Sequence, residues 1–192
     1  MNELPVLQPA SAKEWEEWLE TNHASSAGVW VRLAKKGSVI ETVSYAEAVE
    51  GALCYGWIDS QAAGLDDQFW LQRFTPRAAR SRWSRVNRDR AEELIRQGRM
   101  RSAGLAQVER AREDGRWDAA YESQSTATVP ADLQRELDRH PAAARSFAAL
   151  DRGNRYAILY RIAETKRAET RARRIERFVT MLAAGETLRP RP

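Results

Sequence analysis

The run TPRAARSRWSRVN, residues 75–87, sets Arg77, Arg80, Arg82 and Arg85 around Trp83, with Ser81, Ser84 and Asn87 between them. Guanidinium forks and hydroxyls crowded into one turn are the groups that hold a phosphate or a carboxylate. Two stretches just before the turn add to it. WIDSQAA, residues 57–63, carries Asp59 beside Trp57, and QFWLQRF, residues 68–74, carries Arg73. In extended chain, a period of two puts Trp57, Asp59 and Gln61 on one face. Asp59 would then orient Arg73 or Arg77. Arg73, Arg77 and Arg80 would meet a small anionic molecule, with Trp57 and Trp83 as apolar walls and Ser81 as a hydroxyl donor. Ser84 or Asn87 would cap the helix that follows, whose N-terminus also favours negative charge. An architectural reading competes on equal terms. In it the indoles pack the core and Asp59 is an internal ion-pair partner.

Other chemistry is thinly represented. Cys54 is the one cysteine, so it forms no internal disulfide, and its place in an apolar helix reads as a small buried hydrophobe. His23 and His140 are far apart, and no spacing suggests a zinc site. No glycine-rich phosphate loop, nucleophile-elbow serine or paired-histidine motif occurs, so no catalytic residue, metal or cofactor is assigned. Lys35-Lys36 reads as a solvated turn. The arginine-rich run from Arg152 to Arg177, with Tyr156 and Tyr160 interleaved, could follow a nucleic-acid backbone. Glu164, Glu169 and Glu176 interrupt it as helical partners, and no sequence-reading motif accompanies it.

Charge is unevenly spread. Residues 1–74 hold five Lys or Arg against eleven Asp or Glu, residues 75–120 twelve against seven, and residues 121–192 fourteen against nine. The excess after residue 74 is either an anion-binding surface or helix faces laced with Arg–Glu pairs. No apolar run approaches the ~20 residues that a membrane-spanning helix needs. MNELPVLQPAS has neither a basic stretch nor an apolar one, which gives the expectation of a cytoplasmic protein.

The elements that must position these groups follow from periodicity. Ser11-Ala-Lys-Glu14 and Ser44-Tyr-Ala-Glu47 are capping boxes that open helices near 12–22 and from 45 to about Gly56. GVWVRLAKKG, residues 28–37, alternates as a strand. Residues 57–63 and 68–74 pair as a hairpin across Gly64–Asp67. Helices follow at about 85–97, 102–114, 130–139, 141–150, 154–164 and 167–184, with Pro130 and Pro141 at first helical positions. The polar stretch 122–129 reads as a linker. The fold class is α+β: a small antiparallel sheet with helices over 1–121, then an all-helical region over 130–186.

Several strings together resemble the YdeI/OmpD-associated, or bacteriocin-protection, family. They are GVWVRLAKKG, VSYAEAVEGALCYGWIDS, DDQFWLQRFTPR, SRWSRVN, DGRWDAAY and the terminal NRYAILYRIAETKRAETRARRIERFVTMLAAGE, covering about 28–185. The resemblance implies a soluble bacterial α+β protein with a helical C-terminal part, and a role in stress or antimicrobial-peptide tolerance. It places recurring motif positions on Trp57, Asp59, Pro76, Arg77, Ser81, Trp83, Ser84 and Asn87, and brings no catalytic residues with it. Three functions are therefore in play: a protein that binds an anionic ligand, an enzyme acting on a phosphorylated or carboxylated metabolite, and a non-specific nucleic-acid-binding module.

Overall fold

The structure, a computed structural model, describes residues 4–122 and 127–188. The chain divides into two compact units, Met1–Ala120 and Tyr121–Pro192. The middle of the expected linker, residues 123–126, lies outside the described residues.

The N-terminal unit begins with β1 (Val6–Leu7) and α1 (Ala12–Asn22). Ser11 caps α1 by accepting from the Glu14 amide, and the Glu14 carboxylate reaches back to the Ala10 amide at 2.9 Å. β2 (Val29–Ala34) buries Val29, Val31 and Leu33 and leaves the alternate side chains half-buried, as its alternation predicts. α2 (Tyr45–Cys54) starts with a reciprocal capping box between Ser44 and Glu47. β3 (Trp57–Gly64) and β4 (Phe69–Pro76) form the hairpin. Its turn is held by Asp66, whose Oδ1 accepts from the Gln68 and Phe69 amides at 2.8 Å.

The strands lie in the order β1-β2-β4-β3. β2 pairs antiparallel with β4, and β4 with β3. The two-residue β1 joins β2 in parallel, so the sheet is mixed rather than purely antiparallel. Two residues are too few to show periodicity, and the sequence alone does not announce this strand. The core side of the sheet meets α1 and α2. Trp15 stacks on Trp18 with centroids 5.5 Å apart and tilts against Phe74, while Trp18 meets Trp57 edge-on at 5.8 Å. Two of the buried indole N–H groups have backbone acceptors here: Trp15 donates to Ala48 O and Trp57 to His23 O.

β3 does not keep its period. The register passes from Asp59↔Phe74 to Ala62↔Gln72, a bulge that leaves Ser60 and Gln61 without ordinary partners. The buried Gln72 amide compensates, donating to Gln61 O and to Arg73 O at 3.2 Å each.

α3 (Arg85–Arg96) and α4 (Ser102–Glu113) complete this unit. The end of α2 meets the start of α4 backbone to backbone. The Arg101 amide donates to Cys54 O at 3.1 Å. A Cβ on Gly104 would come within 2.7 Å of Leu53 O and nearer still to Cys54 O. Gly56 (φ +74°) turns the chain out of α2, and a Cβ there would lie 2.8 Å from Ala103 O.

The C-terminal unit is helical: α5 (Ala131–Arg139), α6 (Pro141–Ala148), α7 (Arg152–Ala163) and α8 (Ala168–Ala183). Pro141 is the first residue of α6, whereas Pro130 is the residue before α5 rather than its first. Asp151 caps α7, accepting from the Asn154 amide at 2.9 Å and from its side chain at 2.6 Å. Leu133, Phe147, Ile158, Ile162, Phe178 and Leu182 make the centre of the core.

The α2–α4 contact sets a sharp test. Gly104→Ala forces a methyl into two backbone carbonyls that have no rotamer to yield. It should cost about 1–3 kcal/mol in urea unfolding. Gly64→Ala, at a position with nothing within 4 Å of the new methyl, should leave stability nearly unchanged.

Candidate functional site

The turn beyond β4 is built around a buried guanidinium. Arg77 is 4 % exposed. Its amide donates to Gly56 O at 3.0 Å, and its Nη1 donates to Arg82 O at 3.0 Å. Its carbon centre lies 3.8 Å above the ring of Trp83. A guanidinium suits that position because its flat faces are weakly hydrated and its edges carry the donors. Trp83 meets Trp117 with centroids 4.8 Å apart, and the Trp117 N–H points to Glu92 at 3.3 Å. A second guanidinium closes the turn from the other side: Arg116 donates through Nη1 to Ser81 O at 2.6 Å, and its Nη2 lies 2.7 Å from Asp114 Oδ2.

The residues singled out from sequence therefore separate. Arg77 and Trp83 come together as a stack. Ser84 accepts from the Asn87 amide at 3.1 Å and is the cap of α3, so both are used there. Ser81 contributes its carbonyl to Arg116. Arg80 is exposed. Trp57 and Trp83 are each 1 % exposed, so they pack in the core and do not wall an open cleft. Asp59 is in register with Phe74, while Arg73 is in register with Trp30 on the adjacent position. Alternation sends Asp59 and Arg73 to opposite faces of the sheet. Asp59 instead accepts from the Tyr45 hydroxyl at 2.8 Å. Burial, together with the Asp59 carboxylate, pushes the Tyr45 phenol well above its ordinary range. The bulge also removes Gln61 from the face that it would share with Asp59.

Cys54 is buried, and burial pushes its thiol up to about 11, so the thiolate is scarce near neutral pH. Among the described residues no three His, Cys, Asp or Glu side chains are grouped to hold a metal ion, and no helix is long and apolar enough to cross a membrane.

The C-terminal unit concentrates arginine around one cleft. The end of α7 and one face of α8 enclose about 550 Å³. Arg161, Arg173, Arg174 and Arg177 line it, with Glu164 as the one carboxylate. Phe178, Met181 and Leu188 form an apolar part of the lining, and Thr170 adds a hydroxyl. Arg174 is anchored, donating to Arg161 O at 2.7 Å. Arg173 approaches Glu169 at 3.7 Å in an exposed i,i+4 pair, too open to neutralise it. Sequence reasoning saw this run as a helix face carrying phosphate-binding arginines but not that the heads gather over apolar side chains. The signal was present as the period of Arg173, Arg174, Arg177, Phe178 and Met181.

Beside the cleft, Arg171 ties three helices. Its Nε and Nη2 grip Asp132 of α5 at 2.5 and 3.0 Å, and its Nη1 donates to Ile162 O at the end of α7, at 2.7 Å. The Arg171 fork holds the Asp132 carboxyl below its ordinary 3.8.

A family model described as Domain of unknown function (DUF8412) matches residues 7–107, which is 101 of the 192 residues. The chain belongs to that family. A second family model, described as Bacteriocin-protection, YdeI or OmpD-Associated, matches residues 126–185. The YdeI/OmpD-associated resemblance thus holds for the helical C-terminal segment, while the motifs in the first half fall under the DUF8412 description. Neither a curated protein nor a solved structure matches the chain.

Two outcomes follow from this geometry. Arg77→Ala should destabilise the N-terminal unit by about 3 kcal/mol, through loss of a buried stack and of a charged hydrogen bond. Arg77→Lys should recover little of it in thermal unfolding, since an ammonium cannot both stack and reach Arg82 O. In the C-terminal unit, the folded Asp132 carboxyl titrates below its unfolded value. Its contribution is fully present above the unfolded pKa and is lost as pH falls through the folded one. Asp132→Asn should cost about 1–2 kcal/mol at neutral pH for this partly exposed pair and flatten the acid limb of the stability profile below about pH 4.

Proposed function

We propose that this is a non-catalytic protein of the stress- or bacteriocin-protection type that works by binding an anionic ligand. The observation that carries the reading is the cleft of the C-terminal unit, where four arginines face one glutamate over about 550 Å³. All of its lining but Leu188 lies in the segment matched by the bacteriocin-protection family model. Convergent guanidinium groups hold phosphate, sulfate or carboxylate by charge-assisted forks. The size is within the range of about 300–1,000 Å³ that small-molecule sites occupy. The turn after β4 is the weaker candidate, because Trp57, Trp83 and Arg77 serve the core there and, of Arg73, Arg77 and Arg80, Arg80 alone is exposed.

Binding is favoured over catalysis by the lining itself. Its polar lining is four arginines, one carboxylate and the Thr170 hydroxyl, a set dominated by groups that hold anions.

The test is calorimetric titration of the full chain with phosphate and sulfate at low ionic strength, alongside thermal unfolding at rising anion concentration. Saturable binding that weakens about tenfold or more in Arg177→Gln, and is unchanged in Arg80→Gln, is the expected result. Binding lost in Arg80→Gln and kept in Arg177→Gln would return the site to the turn after β4. No saturable binding of either anion would reject the function.

A further inference from the structure

We infer that the ligand of this cleft is a single-chain anionic amphiphile, a carboxylate or phosphate head carrying one alkyl tail. This rests on the anion-binding reading above and adds the chemistry of the rest of the ligand.

Side chains follow a fixed order along one face of α8. Positions 173, 174 and 177 are arginines; positions 178 and 181, on the same face, are phenylalanine and methionine. Leu188, from the segment after α8, joins the apolar end, and Arg161 from α7 joins the basic one. The cleft is therefore polarised along the helix axis, with cations toward the start and hydrocarbon toward the end. At 1.5 Å per residue, the step from 173 to 181 spans about 12 Å, the reach of a charged head and a short alkyl chain laid end to end beside the helix. A bare inorganic anion would use the basic end and leave the solvent-facing parts of Met181 and Leu188 uncovered. A neutral hydrocarbon would leave the arginine heads without a counter-charge. A ligand with both parts satisfies both.

The two ends differ in rigidity as such a ligand requires. Arg174 is fixed by its bond to Arg161 O, and Arg171, one turn earlier, is fixed by Asp132 and Ile162 O. The head therefore meets donors carried on a braced helix, and little order has to be created on binding. The tail meets Met181, an unbranched thioether that adapts to chains of different length. The site should accordingly read head charge strictly and tail length loosely.

Titration of the full chain with acetate, hexanoate, octanoate, decanoate and dodecanoate, each below its micelle concentration, tests the proposal. Decyltrimethylammonium and phosphatidylglycerol vesicles are the comparison arms. The dissociation constant should fall by about two- to fourfold per added methylene until the apolar end is filled. Met181→Gln and Leu188→Gln should each flatten that dependence while leaving phosphate binding unchanged. Arg177→Gln should weaken every carboxylate. Thermal unfolding of each variant without ligand separates a lost site from a lost fold, and the two tail variants serve as independent checks.

Equal affinity for acetate and decanoate, with both dependent on Arg177, would overturn the amphiphile and leave the anion-binding reading standing. Equal binding of decyltrimethylammonium would overturn it as a merely apolar contact. Binding to vesicles without binding to the free carboxylates would overturn the single-chain ligand in favour of a bilayer surface. Absence of phosphate and carboxylate binding together would end both readings.

Discussion

Backbone carbonyls where an element ends carry partial negative charge, and in this protein guanidinium groups repeatedly bond to them, alone or beside another donor. Arg77 answers Arg82 O and Arg116 answers Ser81 O, so one short turn is gripped from within and from without. Arg171 answers Ile162 O and Arg174 answers Arg161 O at the last turn of α7. An orphan carbonyl and a helix C-terminus are both partly negative, so a cation there gains in hydrogen bonding and in dipole energy together. Arginine suits the task better than lysine because several fixed donors can serve a carbonyl and a carboxylate at once, as Arg171 does with Asp132. These four arginines are thus architectural, and Arg174 also lines the cleft.

That division explains which parts of the molecule could be read in advance. Local signals were legible. Ser44 and Glu47 closed their capping box, Val29, Val31 and Leu33 alternated into the core, and Asp66 made the hairpin turn. Such features depend on neighbours a few positions away. The partner of each arginine was not legible, because it is fixed by contacts between segments distant in sequence, such as Arg116 with Ser81. The face on which Asp59 lies relative to Arg73 depends on strand register, which hydrophobic pattern sets only loosely where a bulge intervenes. The same bulge moved Gln61 out of the expected face, and no residue type in WIDSQAA marks it. Trp57 and Trp83 illustrate the general difficulty: a large aromatic beside a charge is the composition of a binding pocket and equally of a stacked core, and only burial separates the two.

The two units use their polar groups differently. In the N-terminal unit Arg77 and Trp83 stack, Ser84 caps α3 and the Ser81 carbonyl closes the turn. In the C-terminal unit the anchoring arginines and the outward-facing arginines alternate on α8. One set braces the helix, and the other is presented above Phe178 and Met181. A helix stiffened by its own side-chain forks is a suitable platform for a charge cluster whose members would otherwise repel one another apart.

The seam where α2 runs into α4 has a further consequence. Cys54 lies at that seam, shielded and protonated, and the chain has no other sulfhydryl. Its carbonyl is bonded to the Arg101 amide, and Gly104 sits against the same peptide. At 2 % exposure, beside a cavity of about 190 Å³, the thiol should meet an alkylating reagent slowly until the first unit opens locally. The single thiol is a built-in clock for transient opening of the first unit, and it is silent to any motion confined to the second.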